Sequence, residues 1–299
     1  MQDVIAHPRG RAFGNLPHTA PDAGMERSVQ TIAVAGGKGG TGKSNIAINL
    51  AVCLGAAGQR VLLLDGDLAM GNVDQLLNLS ATHTLQDVVS GVCTLSDVLV
   101  KGPRNVTILP SASGALEMAM SSQIEHAGLI GLFSDLAVPA DTLIVDIASG
   151  LPQSSMSFCQ AVREVIVVIV DEPTALFDAY TTIRVLHEKF GVRRIRLVAN
   201  KTESSRHGLD ICTVLSQRVE RHMDVLLDYC GAIPFDQHLK KAVMGQRSVV
   251  EAYPRSPSTL AFRKLSARVA HWPRPQTPCG HIEFFVERLV KVAGNTSLR

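Results

Sequence analysis

Two lysines and a hydroxyl share one glycine-rich run, GKGGTGKS, from Gly37 to Ser44. Glycines let a backbone turn tightly and bring its N–H groups close to an anion, and a lysine followed by a hydroxyl suits a polyphosphate with its divalent cation. Two fingerprints overlap here. Gly37, Gly39 and Gly42 fit G-x-G-x-x-G, the dinucleotide turn, while Gly37 through Ser44 fit G-x-x-x-x-G-K-[ST], the P-loop. The dinucleotide reading finds an acid at Asp65, at the end of the second candidate strand. It leaves Gly42-Lys43-Ser44 unexplained, because a pyrophosphate held by backbone amides needs no cation there. A triphosphate does: Lys43 reaches across its β and γ groups and Ser44 holds Mg²⁺. The candidate nucleotide-binding run is therefore Gly37, Lys38, Gly39, Gly40, Thr41, Gly42, Lys43, Ser44 and Asn45.

Such a loop needs acids at neighbouring strand ends. LLLDGDLAMGNVD offers Asp65 and Asp67, and LIVDIASG offers Asp146. Asp146 follows an apolar run, as a Walker B carboxylate holding Mg²⁺ through water does, and Gly150 would let its loop move when the γ-phosphate leaves. Asp67 lies two residues beyond its strand end, where it could orient the attacking water. Ser44, Asp67 and Asp146 are the predicted metal-site residues. Lys38 remains. Lys43 already fills the cis position, so Lys38 is predicted to act on the phosphates of a facing subunit, as an arginine finger does in trans for a gain of about 10³–10⁵ in rate.

These side chains need a scaffold that puts strand ends side by side. Candidate strands are TIAVAG (31–36), RVLLLD (60–65), VTILPS (106–111), DTLIVD (141–146), EVIVVIV (164–170), RIRLVAN (194–200) and LLDYCGAIP (226–234). They are short, rich in β-branched residues and mostly not alternating, as parallel strands buried on both faces should be. Helix candidates lie near 43–57, 122–137, 174–190, 208–222 and 257–271. Strands alternating with helices predict an α/β fold, a doubly wound and mostly parallel sheet flanked by helices. Residues 1–28, rich in Pro, Gly, Ala and His, read as a flexible extension, with Met25 a candidate start. Residues 29–275 read as the nucleotide-binding domain.

Bulk properties narrow the classes. The 299 residues carry 46% hydrophobic and 19% charged side chains and a net charge of +2, which gives no reason to expect a nucleic-acid partner. Six scattered cysteines without a C-x-x-C pair point to a reducing cytoplasm, and ten dispersed histidines offer no zinc motif. No apolar run reaches 18 residues and the N-terminus has no apolar h-region.

KGGTGKS resembles the deviant Walker A motif of the MinD/ParA ATPases, DGDLAMGNVD their switch I and DIASG their switch II. The resemblance implies that Lys38 is a signature lysine acting across an ATP-sandwiched homodimer, that Asp67 is the hydrolytic residue, and that Asp146 belongs to switch II. Catalytic roles then fall to Lys38, Lys43 and Asp67, with ATP and Mg²⁺ as substrate and cofactor. Asn200 of NKTE and the loop AIPFD, with Pro234 and Asp236, are implied to frame adenine. Thr41, Ser44 and Ile147 depart from the common residues at their positions.

Within that family, HAGLIGLFSDL, DEPTALFDAY, KKAVMGQRSVVEAYPRSP and GHIEFFVERLV resemble the FlhG/FleN group of flagellar-number regulators. That implies a slow ATPase switch setting flagellar number and placement, with the activator FleQ as partner and FlhF and flagellar switch-complex subunits as further partners. A D-Q-A motif, by which some of the group stimulate FlhF, is not evident in residues 1–28. Two rivals are a ParA-like DNA-partitioning ATPase, with Arg193, Arg194, Arg196, Arg218 and Arg221 as a basic surface, and a metal-cluster reductase with bridging cysteines.

HIEFFVERLVKVAG (281–294) spaces Ile282, Phe285, Val286 and Leu289 along one helical face, with Glu283, Glu287 and Lys291 opposite. The pattern predicts a C-terminal amphipathic helix over 280–294 that lies in a membrane surface or docks on the protein's own core. The expected location is the cytoplasm, reversibly at the inner face of the membrane and the cell pole.

Overall fold

The computed structural model describes residues 28–68, 71–111, 123–133, 136, 138–150, 152–277 and 283–285. Among these, the chain builds one eight-stranded sheet: β1 (Gln30–Ala35), β2 (Val61–Gly66), β3 (Val100–Lys101), β4 (Val106–Leu109), β5 (Thr142–Ile147), β6 (Glu164–Ile169), β7 (Arg194–Thr202) and β8 (Leu226–Pro234). Their order is β3-β4-β2-β5-β1-β6-β7-β8, parallel throughout except for the β3–β4 pair. The expected doubly wound sheet is present. All six residues of β1, β2, β5 and β6 are buried, which is why these segments read as unbroken apolar runs.

Alternate residues feed two cores. Ala33, Ala35, Leu62 and Leu64 face the helices Gln153–Ala161, Pro173–Phe190 and Ser205–Glu220, while Ile32, Val34 and Leu63 face α1 (Lys43–Ala56) and the Pro257–Ala270 helix. α1 is wedged between the sheet and the Pro257–Ala270 helix, so it is buried on nearly every side. Ile46, Leu50 and Leu54 are each at most 1% exposed, and such burial contributes roughly 1.5–3 kcal/mol per side chain.

Local chemistry sets the helix ends. Pro173 opens its helix and Gly191, at φ 68°, closes it. Ser204, Asp236 and Ser256 each accept a backbone N–H of the helix they begin. Helices Gln153–Ala161 and Gln237–Met244, together with several shorter turns, add to those the sequence predicted.

β1 lies between β5 and β6, with β2 to β4 on one side and β7 and β8 on the other. The winding direction reverses there, so the loops leaving β1 and β5 border a crevice at the carboxyl edge, where open α/β sheets bind ligands.

Candidate active site

The glycine run spans the gap between β1 and α1. Gly40 (φ 79°) and Gly42 (φ 93°) adopt the left-handed region that favours glycine. Gly42 is the N-cap of α1 and sets no side chain over the helix's first N–H groups, so the amides and the positive dipole end face the crevice. The loop is braced from outside. Asn200 Nδ2 donates to the Thr41 carbonyl at 2.7 Å, and Lys201 Nζ to the Gly40 carbonyl at 2.9 Å. Lys201 has φ 56° and stands where the β7–β8 register shifts, a bulge that turns its ammonium toward the loop. On the other flank a Cβ on Gly37 would lie 2.4 Å from the Asp178 carbonyl oxygen, so the loop rests directly on the Pro173–Phe190 helix. The Gly150 N–H donates to the Gly37 carbonyl at 3.2 Å and joins the loop after β5 to the glycine run.

Lys43 is only 7% exposed. Burial lowers its pKa, opposed by the charges of Asp146 and Asp67, and its Nζ donates to the Lys38 carbonyl at 3.4 Å. The register of β2 and β5 sets Asp65 directly beside Asp146. Burial, and then the neighbouring Asp65 charge, push the Asp146 carboxyl up to about 8, while the Ser44 hydroxyl and Lys43 pull it down. Burial likewise pushes Asp65 up to about 6, against three backbone N–H groups, those of Val73, Asp67 and Asn72, that favour its ionised form.

Asp146 Oδ1 is buried and has no hydrogen-bond donor. An orphaned carboxylate oxygen beside a hydroxyl and a second acid is a hard-oxygen donor set, which fits Mg²⁺. Ser44 and Asp146, with Asp67 nearby, would hold the ion. Asp65 serves the loop backbone instead.

Lys38 turns back onto its own chain. Its Nζ lies 2.8 Å from Glu172 Oε2 and 3.1 Å from Thr174 Oγ1, at the start of the Pro173–Phe190 helix. Sequence reasoning missed Glu172, Thr174 and Lys201. The Asn-Lys dipeptide could have signalled Lys201, but nothing local links Glu172 to a residue 134 positions earlier.

Two expected site residues have other partners in the structure. Asp236 was expected at the base, but its carboxylate is taken up by helix caps: Oδ1 accepts from the His238 N–H at 2.8 Å, and Oδ2 from the Ser258 N–H at 3.0 Å and its hydroxyl at 2.7 Å. Pro234 ends β8 opposite Thr202, on the rim beside Asn200. Phe285 was expected on an amphipathic helix that lies in a membrane surface or docks on the protein's own core; Phe284 and Phe285 form a turn, packed in the core and at most 2% exposed. Phe284 stacks edge-on to Phe133 at 4.9 Å, and Glu283 pairs with Arg163 at 3.1 Å. Ile282, Val286 and Leu289 lie outside the described residues.

The rival readings meet other obstacles. Arg196 is buried, bonded to Glu164 at 2.8 Å and stacked 4.6 Å over Trp272, so it adds nothing to a basic surface. Cys53, Cys159, Cys212 and Cys230 are buried and their thiols are pushed up to about 11 or 12 by that burial.

Comparison with known proteins agrees with the geometry. A ParA family model, described as NUBPL iron-transfer P-loop NTPase, matches residues 27–270. Antiactivator FleN of Pseudomonas aeruginosa is 48% identical over 268 residues, 90% of this chain and 96% of that protein. Flagellum site-determining protein YlxH of Helicobacter pylori is 24% identical, over 88% of this chain and 90% of its own. Among solved structures, the septum site-determining protein MinD of Pyrococcus horikoshii, complexed with Mg-ADP, superposes with a TM-score of 0.67 at 30% identity, covering 81% of this chain and 96% of that one.

Proposed function

The chain belongs to the ParA family of P-loop NTPases and hydrolyses ATP with Mg²⁺, and from that premise we propose that it is a nucleotide-timed dimerising switch that limits flagellar number. Lys38 carries the proposal. Lys43 already supplies the cation a P-loop needs in cis, and Lys38 stands at the rim of the same loop with 40% of its side chain exposed. A second ammonium there is useful to the nucleotide of a second copy.

The roles follow from position. The loop amides and α1 terminus bind the phosphates, and Lys43 spans the terminal ones. Mg²⁺, when bound, neutralises charge that develops on the phosphate oxygens. Asp67 orients the attacking water, Asn200 and Pro234 border the base, and Gly150 links the loop after β5 to the glycine run. Exposed apolar side chains suited to a seam between copies lie near residues of the site: Phe177, one turn from Thr174, is 61% exposed, and Phe235, beside Pro234, is 63% exposed.

The likeness to antiactivator FleN supports a flagellar transcriptional activator of the FleQ type as partner of the ATP-bound dimer. FlhF, the flagellar switch complex and the polar membrane surface are further partners in the proposal. The deciding experiment is gel filtration with saturating ATP. Wild type and Asp67→Ala should dimerise, Asp67→Ala more persistently, and Lys38→Ala should not; a monomeric Asp67→Ala protein would overturn the switch.

A further inference from the structure

The segment that carries Asp67 leaves β2 and passes the end of β4. Both backbone polar groups of Asp67 are held there. Its N–H donates to Asp65 Oδ1 at 3.2 Å, and its carbonyl accepts from the Ser111 hydroxyl at 2.6 Å. Asp65 is buried at the end of β2, and its other oxygen accepts the Val73 N–H at 3.0 Å, which fixes the far side of the same loop. β4 pairs in register with β2 up to Leu64 and Leu109, so Ser111 leaves the strand end next to the one that bears Asp65. Gly71 closes the arrangement from above. A Cβ on Gly71 would lie 2.2 Å from Ser111 Cβ and 2.6 Å from Asp65 Oδ2, so the loop folds down onto both residues only because position 71 has no side chain.

We propose that Ser111 is a positioning residue for ATP hydrolysis, its hydroxyl fixing the peptide from which the Asp67 carboxylate reaches the attacking water. The inference rests on the reading of Asp67 as the hydrolytic residue. A loop that leads from a strand end into a helix has several soft dihedrals, and a displacement of about 1 Å in a catalytic group costs up to about 10²-fold in rate. The Asp65 bond holds the Asp67 peptide at its N–H. The Ser111 bond, at the short end of hydroxyl–carbonyl distances, holds the carbonyl on its other side. The glycine run is braced by Asn200, Lys201 and Gly150, so loss of the Ser111 hydroxyl should spare nucleotide binding.

Steady-state kinetics separates the possibilities. Ser111→Ala should lower kcat about fivefold to tenfold, the cost of one lost hydrogen bond, with the KM for ATP and ATP-driven dimerisation unchanged. Ser111→Thr, which keeps the hydroxyl, should stay within about threefold of wild type. Gly71→Ala should lower kcat in the same way as Ser111→Ala by pushing Ser111 and Asp65 aside. Wild-type turnover in Ser111→Ala, a KM that rises by the factor kcat falls, or a Thr variant as slow as Ala would each overturn the assignment. Asp67→Ala is the control for the underlying reading: if it turns over normally, that reading fails; if it is inactive while Ser111→Ala is unaffected, only the clamp fails.

Discussion

Lys38 and Glu172 form an ion pair of 2.8 Å within one chain, with Thr174 completing the ammonium's contacts at 3.1 Å. The lysine expected to serve a second subunit is thus bonded within its own chain, at the start of the Pro173–Phe190 helix. Both side chains are well exposed, 40% and 50%, so solvent screens the attraction and the tether is weak. A weak tether suits a side chain that must be released when a more highly charged partner, a triphosphate across a seam, becomes available. Glu172→Gln should therefore shift the midpoint of ATP-driven dimerisation to about twofold to fivefold lower ATP in a light-scattering titration. A midpoint that rises would instead mean that Glu172 contributes to the dimer itself.

The glycines at positions 37 and 42 answer to different neighbours, and substitutions there should fail differently. At Gly42 a Cβ would meet Asn200 Nδ2 at 2.3 Å, in a left-handed conformation. Gly42→Ala should break the Asn200–Thr41 bond, strain the loop and abolish nucleotide binding, measured by fluorescence of a labelled ATP analogue. At Gly37 the obstacle is the Asp178 backbone of the Pro173–Phe190 helix, 2.4 Å away. Gly37→Ala should push that helix and the glycine run apart and weaken ATP binding about tenfold or more. Its helix should also exchange amide hydrogens faster.

Much of this site could be read from the chain because its chemistry is contiguous. The glycine run is eight consecutive residues, and the acids end strands whose two buried faces make them apolar runs. The seven predicted strands all exist, several with ends moved by one or two residues, and the two-residue β3 carries too little pattern to announce itself. The Gln153–Ala161 helix mixes serines with a few apolar residues and gives no clear period. What the sequence hid lies in long-range pairings, such as Lys38 with Glu172 and Lys201 with Gly40, which depend on strand ends meeting across the crevice. Asp236 illustrates the same limit. An acid after a strand end reads as a ligand contact, and only three-dimensional proximity to Ser258 reveals a double cap.

Asp236 also makes a pH prediction. Burial alone would raise its pKa, but the Ser258 hydroxyl and N–H and the His238 N–H favour the carboxylate and hold it down at about 2. A depressed folded-state pKa stabilises the protein above the ordinary carboxylate range, and the contribution is lost as pH falls through about 2. Asp236→Asn should therefore cost roughly 2 kcal/mol in urea denaturation at pH 7, with the gap to wild type shrinking below pH 4. Its preference for ATP over GTP should be unchanged. A large change in base preference with full stability would return Asp236 to the base site.

Phe284 and Phe285 place the C-terminal end of the chain in competition with any lipid surface. Phe285 lies in a turn with φ 57°, its ring 6.1 Å from Phe133, and Phe284 stands between Phe133 and Phe158. A continuous helix through 281–294 with Phe285 in lipid requires these rings to leave the core, and a buried phenylalanine contributes about 3–5 kcal/mol. Membrane attachment should then depend on ATP, whose seam could supply the opposing free energy. Flotation with anionic liposomes should accordingly be low for the wild type without nucleotide and higher with ATP. Phe284→Ala should melt at lower temperature and float more readily without ATP, because the docked state is weakened. Removing residues 280–299 should abolish flotation in all conditions, and ATP-dependent flotation that survives the deletion would take this segment out of membrane attachment altogether.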